Sequence, residues 1–251
     1  MIETRIRKLR DQFKKLKIDG YVIPKNDEFF SEYSKIDRLK IISNFSGSAG
    51  YAIILKQKNY LFVDGRYTLQ AKIESGKNFS IIDYHKIINC NLFKNLILGI
   101  SPKFFVSNQI KNFFLKNNKI ELINEDLVGS SYKKRVNFNK PFFSLNENTV
   151  GENYISKINR VLKIIKKNKC DSIFISAPEN VAWLLNIRGH DNPNSPIPNC
   201  YLFLNKNGKY YLIADKKKVK NLIKDKKISS NQIINPNDFK LFIKKQKKGK
   251  I

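Results

Sequence analysis

Metal-ligating residues are scarce in this chain of 251 residues. Its two histidines, His85 and His190, begin neither an H-x-x-x-H nor an H-E-x-x-H pattern. Its three cysteines, Cys90, Cys170 and Cys200, form no C-x-x-C pair. An odd number of widely spaced cysteines in an intracellular chain is typical of reduced thiols. The sequence therefore predicts no metal site, no zinc knuckle and no disulfide.

Long apolar runs are absent as well. The chain has no stretch of about 18 apolar residues of the kind that spans a membrane. Its first five residues, Met-Ile-Glu-Thr-Arg, place acid and base where a signal peptide has an apolar segment. We therefore expect a cytoplasmic protein with no membrane partner.

Acidic residues are few: 21 Asp and Glu stand against 48 Lys and Arg, and the net charge is +27. Such a charge suggests nucleic acid or an anionic surface as a partner. The basic residues are 40 lysines and 8 arginines spread along the whole chain, however, whereas phosphate and base recognition favours the forked guanidinium. We interpret the charge mainly as codon bias on solvated faces and expect no nucleic-acid partner.

The length exceeds the usual domain of about 100–150 residues, which favours two domains. Apolar residues at helical spacing over residues 2–16 predict an amphipathic helix, which Gly20 can end. A short apolar strand is predicted at residues 21–23. The same order returns later, with a helix pattern at residues 155–165 and a strand at residues 173–175. The chain therefore contains a long-period repeat.

The repeat continues through two predicted hairpins, residues 51–64 and 201–215, each of which ends in an aspartate. Each hairpin precedes a predicted helix and another strand. We interpret the chain as two α/β modules, 1–142 and 143–251, with mixed sheets flanked by helices. Residues 137–148, which include Pro141, are the expected connection between them. The first module continues into a predicted strand at residues 103–107 and a helix at residues 109–117. The second lacks these counterparts, which predicts an incomplete domain with an unpaired sheet edge.

The motif Asp64-Gly65-Arg66-Tyr67 follows the strand of the first predicted hairpin. Asp64 can cap the next helix, and Gly65 allows a left-handed backbone. An arginine at such a strand end points out of the edge of the sheet. Arg66 either pairs with Asp64 in a structural role or is presented to a partner domain or ligand.

A polar loop at residues 186–198 contains Arg188, His190 and Asp191 and is stiffened by three prolines. Ordered, charged loops of this length commonly carry contacts. A packed connection between domains has the same composition, so both interpretations remain open.

Several stretches together resemble the aminopeptidase P group of the pita-bread metallopeptidases, which also includes prolidase, creatinase and methionine aminopeptidase. The matching stretches are residues 7–24, 27–33, 38, 42–50, 64–71 and 180–191. Three positions depart from the family pattern: Phe30 stands where histidine is common, Ser46 where threonine is usual, and His190 where serine is frequent.

The resemblance implies two creatinase-N-type domains ahead of a catalytic domain that this chain does not contain. It implies a dimeric enzyme that releases the N-terminal residue ahead of a proline and uses two divalent metals, usually manganese, to activate a water. The metal ligands, two Asp, one His and two Glu, belong to the absent domain. No residue of this chain is therefore assigned a catalytic or metal-binding role.

By position, the resemblance makes six residues adjacent to the substrate or to a domain interface: Asp64, Arg66, Tyr67, Arg188, His190 and Asp191. Two other functions remain open. One is a non-catalytic binding module for an acidic partner, since histone-chaperone relatives keep this architecture without the metals. The other is a creatinase-like or lyase-like enzyme of the same superfamily.

Overall fold

The computed structural model describes residues 2–31, 33–88, 90–131 and 140–246. Contacts between Cα atoms divide the chain into two compact units, residues 1–135 and 136–251. The domain limits predicted from the sequence, 1–142 and 143–251, remain a prediction. The predicted connection at residues 137–148 lies partly outside the described residues.

The described residues of the first unit form a six-stranded sheet and five α-helices. The strands are β1 Gly20–Pro24, β2 Gly50–Leu55, β3 Asn59–Val63, β4 Ser80–Asp83, β5 Ile97–Ile100 and β6 Lys119–Leu122. The helices are α1 Ile2–Arg10, α2 Phe13–Leu16, α3 Arg38–Ser43, α4 Thr68–Ser75 and α5 Ser107–Gln109, which continues as a π-helical turn over Ile110–Leu115.

The strand order of this sheet is β4-β3-β2-β1-β5-β6. Strand β2 is antiparallel to both of its neighbours, and the other pairs are parallel. Five strands therefore run in one direction and end at the same edge of the sheet. In α/β sheets, ligands and partners commonly meet the chain at this carboxyl edge, and the Asp64 motif lies there.

Alternate residues of the strands face opposite sides of the sheet, as the two-residue period of a strand requires. Ile23 and Ile54 belong to a core shared with α1 and α3, whereas Val22 and Ile53 belong to a second core on the other face. Both faces of the central strands are thus buried, which explains why β1 is apolar along its whole length.

The second unit contains the strands β7 Phe143–Ser144, β8 Ser172–Ile175, β9 Ile187–Arg188, β10 Tyr201–Asn205, β11 Tyr210–Ile213 and β12 Ile233–Ile234. Its helices are α6 Glu147–Val150, α7 Tyr154–Lys167, α8 Pro178–Leu185, α9 Lys220–Lys224 and α10 Phe239–Gln246. Strands β7 and β9 form a separate antiparallel pair.

The main sheet of the second unit has the order β12-β11-β10-β8 and repeats the order β4-β3-β2-β1 of the first. A matching ion pair lies beside the first strand of each copy: Lys56 Nζ is 2.6 Å from Asp19 Oδ1, and Lys206 Nζ is 2.6 Å from Asp171 Oδ1. In the described part of the second unit, β8 is an edge strand, whereas its counterpart β1 also pairs with β5.

The structure corrects three local expectations. The strand predicted at residues 103–107 is a 3-10 turn followed by a loop, because Phe104 and Phe105 point into the core from irregular backbone, and the strand of this region is β5. The helix predicted over residues 2–16 is divided into α1 and α2, and Lys17, with a φ of 54°, caps α2, whereas Gly20 begins β1. Gly65 does not adopt the left-handed backbone conformation.

None of the helices in the described part of the chain is both long and apolar enough to cross a membrane.

Candidate functional site

The Asp64 motif forms a tight turn at the carboxyl end of β3. The Asp64 carboxylate accepts a hydrogen bond from the Arg66 backbone N–H at 3.0 Å and thereby caps the 3-10 turn Gly65–Tyr67. The same carboxylate accepts the Arg66 Nε–H at 2.9 Å. These bonds from Arg66 lower the pKa of Asp64, so the carboxylate stays ionised.

The Arg66 guanidinium is therefore held at a largely exposed site, with its carbon 5.6 Å from the centre of the Tyr67 ring. Tyr67 turns the other way: its hydroxyl lies 3.0 Å from Ser48 Oγ, and its ring packs edge-on against the buried Phe45. The motif thus contains one residue anchored in the unit and one charge directed to the surface.

A cavity of about 250 Å³ opens beside this motif. Its walls come from the ends of β1 and β3, the start of β2 and the segment after β4. The lining residues are Lys25, Asn26, Phe30, Ser48, Ala49, Gly50, Tyr51, Asp64 and Tyr84. Lys25 lies in it with a carboxylate partner, since its Nζ donates to Asp37 Oδ2. The cavity is polar near Asp64 and aromatic at Tyr51 and Tyr84.

Phe30 lines the cavity in a strained conformation. Its φ is 59°, in the left-handed region that costs a non-glycine residue about 1–2 kcal/mol, and its side chain is half exposed. The conformation is imposed by the buried Asp27, whose Oδ1 accepts the N–H groups of Phe29 at 2.9 Å and Ser31 at 3.0 Å. Burial raises the pKa of Asp27.

In the second unit the predicted loop holds its three candidate residues in different surroundings. Arg188 Nη1 donates to the backbone oxygens of Ala182 at 3.2 Å and Ile187 at 2.9 Å. His190 is exposed and stacks on the Phe143 ring with a centroid distance of 5.4 Å. The structure therefore does not bring these side chains together into one site.

Asp191 is the buried member of the loop. Its Oδ1 accepts the Lys218 Nζ at 2.6 Å, and its Oδ2 accepts the Asn199 backbone N–H at 2.9 Å. Burial raises the pKa of the neighbouring Cys200 thiol, and the negative charge of Asp191 raises it further. These contacts close the loop onto the unit, so Asp191 has a structural position and only His190 offers its ring to the surface.

The single tryptophan, Trp183, is exposed on α8 and lies beside two cations of α7: its ring is 4.5 Å from Lys157 Nζ and 5.4 Å from the Arg160 guanidinium carbon. Lys157 also donates to the Trp183 carbonyl at 3.0 Å and to Asn186 Oδ1 at 2.6 Å. Burial lowers the pKa of Lys157. This lysine closes the carboxyl end of α8, where free carbonyls favour a cation.

Over the described ranges, no group of three His, Cys, Asp or Glu side chains comes together in a way that could hold a metal ion. His85 is exposed in the turn after β4, and His190 stacks on an aromatic ring. The residues present therefore do not fit a two-metal centre. Asp64, Arg66 and Tyr67 lie in one turn, and their contact with substrate or an interface stays a prediction. The cavity was not predicted, because Phe30 and Tyr84 come to it from separate segments.

Comparison with known proteins identifies both units. Two family models, each described as the creatinase/prolidase N-terminal domain, match residues 5–109 and 133–250. The probable Xaa-Pro aminopeptidase P of Laccaria bicolor is 31% identical in an alignment of length 211 that covers 77% of this chain and 33% of that protein. Xaa-Pro aminopeptidase 1 of Dictyostelium discoideum is 29% identical in an alignment of length 241 that covers 87% of this chain and 38% of that protein.

Among solved structures, the X-prolyl aminopeptidase of Caenorhabditis elegans superposes with a TM-score of 0.87 at 22% identity and covers 99% of this chain and 44% of that one. That enzyme is described as cytosolic with a di-nuclear active site. The chain spans about a third of the length of the Xaa-Pro aminopeptidases it matches in sequence. The two mixed α/β modules predicted from the sequence are confirmed. The chain belongs to the creatinase/prolidase N-terminal domain family, since two family models of that description match it one after the other.

Proposed function

We propose that this chain is the N-terminal part of a metal-dependent Xaa-Pro aminopeptidase, with domains at residues 1–142 and 143–251. The observation that supports the proposal is the pair of family matches, which together cover most of the chain, beside relatives of about 30% identity that bear that name. The substrate would be a peptide with proline in second position. Such a bond offers no N–H to an enzyme, so its cleavage requires a dedicated, constrained site.

The reaction itself would belong to the region that follows in the longer relatives. Two divalent metals, in our proposal manganese, would be held there and would activate a water for attack on the peptide carbonyl. The two domains described here would restrict access to that site and contribute to a homodimer, and the protein would act in the cytoplasm. By itself this chain is expected to hydrolyse nothing.

Within that arrangement Arg66 is our candidate for a contact with the catalytic region or with substrate. Asp64 holds its guanidinium in one orientation through a charge-assisted hydrogen bond, which reduces the entropy lost when a carboxylate binds. Tyr67 anchors the same turn through Ser48. In the second unit His190 is the exposed candidate, and Arg188 and Asp191 hold its loop in place.

The decisive experiment reads the coding DNA past Ile251 and assays the longer protein on an Xaa-Pro-Xaa peptide, with and without manganese. Release of the first residue only with metal supports the proposal. A continuation without two Asp, one His and two Glu in a metal-binding arrangement contradicts it.

Arg66→Gln in that protein tests the role of the motif. Arg160→Gln is the matched control, because Arg160 is also an exposed arginine paired with a carboxylate, that of Glu152 at 2.6 Å. We expect Arg66→Gln to lower kcat/KM at least tenfold and Arg160→Gln to change it less than twofold. Equal effects of the two variants on kcat/KM would contradict a role of Arg66 in contacting substrate or the catalytic region.

The charge of +27 favours one further candidate, a non-catalytic module that binds an acidic protein. Binding of this kind weakens steeply as salt screens the charges. The binding module would be supported if the protein has no peptidase activity, is retained on an immobilised acidic polypeptide at low salt and is released at about 0.15 M salt. Absence of retention at low salt would dismiss it.

A further inference from the structure

Helix α4 exposes two large apolar side chains one turn apart. Leu69 is 72% exposed and Ile73 is 78% exposed, and no other large apolar side chain in the described part of the chain is exposed as much. Residues four apart lie on the same face of a helix. Single exposed apolar residues are ordinary, but a pair on one face immediately after the Asp64 motif forms a continuous apolar surface.

The helix cannot turn this pair inward, because its other faces are already held. Ala71 and Ser75 are buried, and Ser75 Oγ donates to the Ser43 carbonyl at 2.8 Å. On the flank, the Glu74 carboxylate accepts the Ser46 backbone N–H at 2.8 Å and the Ser46 hydroxyl at 2.7 Å. These contacts fix the rotation of α4 about its axis and keep Leu69 and Ile73 directed outward.

Arg66 precedes the pair at a spacing of three residues and is largely exposed. We call Arg66, Leu69 and Ile73 the α4 stripe. Because Asp64 holds Arg66 and the Ser46 contacts hold α4, the stripe is a preorganised surface with a cation at one end and two aliphatic side chains behind it. The buried cores of protein interfaces are more apolar than the rest of the surface, and arginine is enriched in interfaces.

We infer that the α4 stripe is a docking surface for the catalytic region that follows in the longer relatives; this inference rests on the proposed function. About two thirds of the length of the matching aminopeptidases lies outside this chain, so that region is the largest body available to cover the stripe. The stripe also includes Arg66, which is our candidate contact to the same region.

Hydrogen exchange of residues 68–75 tests the inference. Exchange is measured in the 251-residue chain and in the longer protein encoded by its gene. Docking excludes water and restrains the opening of α4, so the amides of the helix should exchange at least tenfold more slowly in the longer protein. Equal exchange rates in the two proteins would overturn the inference.

A pair of double variants identifies the side chains responsible. Leu69→Gln with Ile73→Gln removes the apolar part of the stripe, and Ile155→Gln with Ile164→Gln removes two apolar residues of α7 that are 54% and 57% exposed. In the longer protein, the first variant should lose the slow exchange of α4 and the second should keep it. Urea unfolding of both variants excludes a general loss of folding. Slow exchange that survives in the first variant would overturn the inference.

The outcomes separate this inference from the proposed function. Slow exchange of α4 in a longer protein that lacks peptidase activity supports docking and contradicts the aminopeptidase. Activity without slow exchange supports the aminopeptidase and contradicts docking. A gene that ends at Ile251 contradicts both. If the 251-residue chain dimerises and the first double variant abolishes the dimer, the stripe binds a second copy instead.

Discussion

Asp191 and Lys218 form a buried ion pair in which the Lys218 Nζ lies 2.6 Å from the Asp191 Oδ1. Removing the carboxylate would leave a largely buried ammonium without its partner, which costs about 3–5 kcal/mol. We therefore expect Asp191→Ala to lower the free energy of unfolding by that amount, measured by urea denaturation.

Asp171→Ala is the control for that prediction. Asp171 pairs with Lys206 at the same 2.6 Å, but both side chains are exposed, and exposed pairs contribute about 0–1 kcal/mol. Similar losses for the two variants would show that burial does not set the strength of the Asp191 pair.

Phe30 provides a test of backbone strain. Phe30→Ala and Phe30→Gly remove the same half-exposed side chain, but only glycine adopts a φ of 59° without steric cost. The free energy of unfolding of the glycine variant should be about 1 kcal/mol higher than that of the alanine variant. If alanine is the more stable of the two, the left-handed conformation of Phe30 is not retained in solution.

Asp27 makes stability depend on pH. Burial raises its pKa in the folded state above the ordinary value of 3.8. A raised folded pKa contributes stability that is fully present below the unfolded pKa and is lost as the pH rises through the folded pKa. Asp27→Asn keeps an oxygen for the Phe29 and Ser31 amides and should flatten this part of the curve of unfolding free energy against pH. An unchanged curve would assign the effect to another group.

Gly189 lies where a side chain has no space. A Cβ added there would lie 2.7 Å from the Pro198 Cα and 3.0 Å from the Phe142 ring. Gly189→Ala must therefore displace backbone in the loop that carries His190, at a cost of about 1–3 kcal/mol. Gly151→Ala is an informative comparison, since its Cβ would meet no neighbouring atom but its φ is 72°. A fully stable Gly189→Ala protein would argue against the packed loop.

The edge strand β8 predicts self-association. Its sequence, Ser-Ile-Phe-Ile, carries no charge, and unprotected edges of this kind pair with other chains. Since the net charge of +27 opposes such contacts, association of the 251-residue chain should increase when salt screens that charge. Gel filtration at about 0.05 M and 0.5 M salt measures the change. A monomer peak at both salt concentrations and high protein concentration would contradict the prediction.

Local patterns in the sequence predicted the elements that depend on neighbouring residues. The paired hairpins ending in β3 and β11 were correct because alternation and turn residues lie within a few positions of each other. Asp64 was expected to cap the next helix, and it caps the 3-10 turn that leads into α4, since capping needs only the next residues. The internal repeat also predicted the two modules.

Features that depend on distant segments were not predicted. Strand β5 was missed because its pairing with β1 joins residues far apart in the chain. The C-cap of α2 is Lys17 rather than Gly20. This was not predicted, because no sequence pattern marks a lysine that adopts the left-handed conformation. The partnership of Asp191 with Lys218 was also hidden, because 27 residues separate them and the chain contains many other lysines.

The strand order of the first sheet has a consequence for synthesis on the ribosome, where the chain emerges from its N-terminus at about 5–20 residues per second. Strand β1 is made first, finds β2 within the next segment, and is joined on its other side only after Ile97–Ile100 has left the exit tunnel. One of the two central strands is thus the first to appear, yet it gains its second neighbour only after β2 and β3 have both of theirs. During this interval the nascent chain offers an open apolar edge to chaperones and to neighbouring nascent chains.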